Sequence, residues 1–84
     1  MGSTNCSALM SKQEEAYNQE IKQERRSLDS SLSIQLGLSI SSDIVAGFNK
    51  TAAAILNKYA AAAKTSNCTF PVKQPPVLPL TYQP

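Results

Sequence analysis

The stretch Leu32-Ser33-Ile34-Gln35-Leu36-Gly37-Leu38-Ser39-Ile40 decides how this chain is read. Leu32, Ile34, Leu36, Leu38 and Ile40 alternate with polar or small residues, a period of two. Such alternation is the pattern of a strand with one apolar and one polar face. A second reading competes with it. Leu28, Leu32, Leu36, Ile40, Ile44 and Phe48 recur every fourth residue, which a helix presents as a slowly drifting stripe. Leucine favours the helix, while Gly37 and the serines oppose it. A lone strand cannot pair its own backbone N–H and C=O groups, so as a strand this segment must add to another chain. On either reading its five apolar residues are the first candidates for contact between subunits.

Upstream, Ser11-Lys12-Gln13-Glu14 has the form of a capping box, with Ser11 at the N-cap and Glu14 reaching back. Good helix formers follow, which predicts a helix over about residues 11–30. Its apolar stripe is thin: Ala16, Tyr17, Ile21 and Leu28, interrupted by Glu24. A helix polar on most of its surface needs a partner. Residues 1–10 read as a flexible leader. Met1-Gly2 with Cys6 loosely resembles an acylation signal, but Cys6 stands where that signal has Ser or Thr.

Downstream, Ser41-Ser42-Asp43 offers a hydroxyl N-cap and a first-turn acid, predicting a second helix over about 42–65. Ile44, Val45, Phe48, Ala52, Ile55, Leu56, Tyr59 and Ala63 share one face of it. Gly47, Lys50, Ala54, Asn57, Lys58, Ala61 and Lys64 share the other. Past Phe70 the chain carries Pro71, Pro75, Pro76, Pro79 and Pro84, a density that forbids helix and favours an extended polyproline-II arm. Val72, Val77, Leu78, Leu80 and Tyr82 make that arm too apolar for a solubilising tail. Lys73-Gln74-Pro75-Pro76-Val77-Leu78-Pro79 also fits the basic-x-x-Pro-x-x-Pro form of an SH3-type ligand.

With 84 residues, and ten of its apolar positions filled by Ala, the chain has little core of its own. Net charge is +2; every acid lies at or before Asp43, and Lys50, Lys58, Lys64 and Lys73 are the charges beyond it. There is no histidine, the commonest general base and metal ligand, and no phosphate-cradling glycine loop. No catalytic residue, cofactor site or metal site is expected. Cys6 and Cys68 are too few and too far apart for a disulfide framework, which predicts free thiols in a reducing interior. The sequons at Asn5, Asn49 and Asn67 then carry no meaning. No secretory signal and no apolar run of membrane-spanning length is evident.

These features predict a mostly α chain: a leader (1–10), a small helical assembly module (11–67) and an extended proline-rich arm (68–84). The segment 32–40 joins the helices, either as an intermolecular β-strand or as a helical seam. The expected function is that of a non-catalytic structural subunit, cytoplasmic or incorporated in a particle and not secreted. Its protein partners, itself or larger subunits, would meet Leu32, Ile34, Leu36, Leu38, Ile40, Ile44, Phe48, Ile55 and Tyr59. Pro76, Leu78, Pro79 and Tyr82 would latch the arm onto a neighbour. In style, Gln/Ala-rich helices with an extended arm, the chain resembles small virion-associated proteins of tailed phages. That resemblance implies a virion component and carries no diagnostic motif. The alternative is an adaptor or peripheral-membrane protein, with residues 44–64 on an anionic surface and the tail recruiting an SH3-type domain. Nucleic acid is a weaker partner, since basic and aromatic residues do not interleave.

Overall fold

The computed structural model describes residues 5–34 and 37–84, except for the side chain of Leu38. Two helices make up the body: α1, Cys6–Ile34, and α2, Leu38–Thr65. They lie antiparallel in a rod with extents of 58 × 15 × 13 Å. The mostly helical expectation holds. Among the described residues there is no strand.

The described residues of the alternating segment are helical at both ends and interrupted at Gly37, while Gln35 and Leu36 lie outside them. Leu32–Ile34 ends α1 and Leu38–Ile40 begins α2, with Gly37 between them at φ 123°. That backbone conformation is open to glycine and strained for other residues. The period of two arises where two helical stripes meet across a corner. Leu28 and Leu32 from α1 bury against Val45, Phe48 and Ala52 of α2.

Both helices begin earlier than their capping sequences suggest. α1 starts within the expected leader: Asn5 is the N-cap, its Oδ1 accepting the Ala8 N–H at 3.2 Å. Ser11 lies inside the helix. The extra turn forms because Leu9 and Met10 pack into an apolar cluster with Tyr17, Leu56, Ala63 and Phe70. α2 starts at Leu38, and the Ser41 hydroxyl bonds back to the Gly37 carbonyl at 3.2 Å instead of capping. The face assigned to α2 is correct in detail. Val45, Phe48, Ala52, Leu56 and Ala63 are buried, while Lys50, Ala54, Asn57, Lys58, Ala61 and Lys64 are exposed.

The far end of α2 closes in a Schellman motif. Asn67 takes φ 60°, the Cys68 N–H reaches the Ala63 carbonyl at 2.9 Å, and the Asn67 N–H reaches that of Lys64 at 3.0 Å. This turn swings Cys68 against the start of α1, where it is disulfide-bonded to Cys6. The expectation of two free thiols is overturned. Two nearly equal helices joined by a short corner bring the chain's distant ends together, whatever their separation in sequence. The bond also removes Cys6 as a thiol for acylation; Met1 and Gly2 lie outside the described residues.

Candidate interaction groove

From Cys68 the chain turns back along the hairpin. Residues 69–84 form no helix or strand and run towards the corner, as their contacts show in order. Phe70 packs with Tyr17 and Tyr59, ring centroids 5.5 and 5.8 Å away. Leu78 meets Asn49, the Leu80 carbonyl accepts from the Ser42 hydroxyl at 3.4 Å, and Tyr82 reaches α1. From Ala63 back to Ser42 is about 31 Å of helix at 1.5 Å per residue. The arm from Cys68 to Leu80 spans about 37 Å at a polyproline-like 3.1 Å per residue. Bends at Pro71 and Gln74 and a turn at Leu80–Thr81, closed by the Tyr82 N–H on the Pro79 carbonyl, take up the difference.

What holds it is a mixture of main-chain recognition and apolar slots. Asn49 reads the arm's backbone twice: its Nδ2 donates to the Leu78 carbonyl and its Oδ1 accepts the Leu78 N–H, each at 2.9 Å. Leu78 and Tyr82 pack on the buried cluster at the corner end, and Val72 on the cluster at the disulfide end. Where Glu24 and Arg25 interrupt the apolar stripe of α1, the arm supplies Tyr82. Its hydroxyl donates to Asp29 Oδ1 at 2.8 Å and accepts from Arg25 Nε at 3.2 Å, with the guanidinium 5.1 Å from the ring centre.

A second polar contact joins the helices at mid-rod. Lys58 Nζ pairs with Glu20 at 2.8 Å, and the Tyr59 hydroxyl donates to the same carboxylate. The Lys58 bond first, then the Tyr59 bond, hold the Glu20 carboxyl below its ordinary pKa. The same contact, with some burial, raises the Tyr59 phenol. Tyr17 is 3% exposed, its phenol is pushed up by burial, and its hydroxyl finds no partner among the described residues.

The residues expected to form an interface divide into two groups. Leu32 and Phe48 are buried, and Ile44, Ile55 and Tyr59 half-buried, within this one chain. They build the hairpin. Ile34 is 72% exposed and Ile40 46% exposed, on either side of the corner. Leu36 and the side chain of Leu38 lie outside the described residues. Of the arm residues expected to grip a neighbour, Pro76, Leu78 and Tyr82 are half-buried and Pro79 is exposed. The arm is seated on its own helices, because the groove beside α2 begins where the disulfide releases it. Leu80, 52% exposed, joins Ile34 and Ile40 in an apolar cap at the corner end.

Asn49 enters the sequence reading only as a sequon, and Arg25 and Asp29 not at all. Polar residues on mostly polar surfaces give no signal until the arm is laid over them. The cysteine pair did leave one: Cys6 and Cys68 lie equally far along the chain from Gly37. Among the described residues, no three potential metal ligands gather, and no helix is long and apolar enough to cross a membrane. Comparison with protein-family models, with curated proteins and with solved structures finds no match.

Proposed function

We propose that this chain is a non-catalytic structural subunit: a disulfide-closed helical rod that assembles through its corner end. The observation that carries this reading is the cap of Ile34, Ile40 and Leu80. These three large apolar side chains are exposed near one end of a rod along which Leu28, Leu32, Phe48, Leu56 and Phe70 are buried. Clustered exposed apolar surface marks a contact with another macromolecule. The surrounding exposed surface carries ordinary helix-solvating groups such as Lys12, Lys22, Arg26 and Lys50. The disulfide revises the expected setting. Such bonds persist outside reducing cell interiors, at particle and cell surfaces among other places. A repeated component of a particle such as a virion, exposed to an oxidising medium, fits that setting.

The membrane-adaptor alternative loses its main support. It needs the apolar face of α2 free to lie on lipid, and that face is covered by α1 and the arm. The test is the solution mass of the oxidised chain by light scattering behind a sizing column. A defined multimer is expected, with Ile34→Asp plus Ile40→Asp reducing it to a monomer of unchanged helix content. A wild-type chain that stays monomeric at high concentration would remove self-assembly through this cap.

A further inference from the structure

The groove that holds the arm has the make-up of a site for an extended peptide. Asn49 satisfies both main-chain groups of one residue, and Ser42 a third group two residues on. Recognition of this kind reads backbone, with side-chain slots for Leu78 and Tyr82 giving register. We propose that the site is exchangeable beyond the arm's first turn, and that its other occupant is residues 75–84 of a second copy of this chain, while Phe70 keeps its place beside its own Tyr17 and Tyr59. The proposal rests on the assembly reading above and specifies how neighbouring rods are tied together.

Three observations carry it. First, the covalent boundary falls at the right place. The Cys6–Cys68 bond closes α1 and α2 into one loop and ends where the arm begins, so the arm can leave without opening the hairpin. Second, the arm has little internal structure to lose. Pro71, Pro75, Pro76 and Pro79 carry no N–H donor and stiffen the free segment, which lowers the ordering cost of docking again. Third, the arm is long enough. From Cys68 to Leu78 it reaches about 33 Å when extended, against a rod about 15 Å across. It therefore spans to Asn49 of a rod lying alongside.

From residue 75 on, the arm of a second copy presents the same atoms to the same groove, so the contacts made there in exchange equal those made within one chain. What tips the balance is the outer edge of the seated arm. Leu80 is 52% exposed there, and a rod brought alongside by a traded arm would cover it.

The experiment mixes isotopically heavy and light full-length oxidised chains, each with a photoreactive residue in place of Val77. After co-refolding at a series of concentrations, crosslinks from residue 77 to α2 are sorted by mass. Mixed heavy–light pairs are expected to rise with concentration toward half of all crosslinks, and Asn49→Ala is expected to abolish them. Same-label pairs alone at every concentration would overturn exchange. If light scattering then still shows a multimer that Ile34→Asp plus Ile40→Asp dissolves, the corner-end assembly reading survives and exchange alone has failed. If there is no multimer either, both readings fall together.

Discussion

Tyr17 and Glu20 sit one turn apart on α1 and face opposite costs. The Tyr17 hydroxyl is buried without a partner, and a buried unsatisfied polar group costs about 1–3 kcal/mol. Tyr17→Phe keeps the ring contacts with Tyr59 and Phe70 and removes that cost. It is expected to raise the unfolding free energy by about 1 kcal/mol in a urea melt; a loss of stability would mean the hydroxyl is satisfied after all. Glu20 has a folded pKa held below the ordinary 4.5, so its contribution is fully present above that value. It is lost as pH falls through the lowered folded pKa. Wild type should therefore exceed Glu20→Gln in melting temperature at neutral pH, with the gap closing in acid below about 4.5. Tyr59 works in the other direction. Its raised pKa means its contribution is complete below its ordinary 10.0 and fades as pH climbs past the folded value.

At the scale of elements, the two glycines make opposed cases. Gly37 forms the corner at φ 123° with open space around it, so a Cβ there meets strain in the backbone and no clash. Gly37→Ala is expected to cost about 1–3 kcal/mol. Gly47 lies inside α2, exposed, with nothing near a built Cβ. There Gly47→Ala should stabilise by roughly 0.5–1 kcal/mol, because alanine has less freedom to lose on folding. Matching thermal melts that shift in the same direction would contradict this account of the corner. The contrast also explains what the sequence disclosed. α2 was legible because its apolar residues keep one helical face from Val45 to Ala63. α1 was legible only from Ser11 onward, since the turn holding Leu9 and Met10 is recruited by Phe70, a tertiary partner some sixty residues away. The segment 32–40 misled because a period of two is also produced by a corner, and Gly37, taken as an objection to helix, was the corner itself. The groove was hidden for a different reason: Asn49 and Arg25 look like solvated residues until an arm lies across them.

On the scale of the whole molecule, the Cys6–Cys68 bond closes a loop with a sequence separation of 62 residues. On a chain-entropy account such a closure stabilises by about 4 kcal/mol. Reduction should therefore lower the melting temperature by roughly 15–30 °C for a domain of this size, as read by far-UV circular dichroism with and without reductant. A melt indifferent to reductant would show that the helices hold together through their clusters alone. The same bond sets how the molecule bears load. Once the arm has left the groove, a pull on the two chain ends reaches the hairpin only through Cys6 and Cys68, so the covalent link carries the force and both helices are shielded from it. What yields is the arm, peeled from Tyr82 back towards Phe70, a stretch about 42 Å long when extended at roughly 3.5 Å per residue. Under tension such a molecule would give by a fixed length and then stop hard at the covalent link.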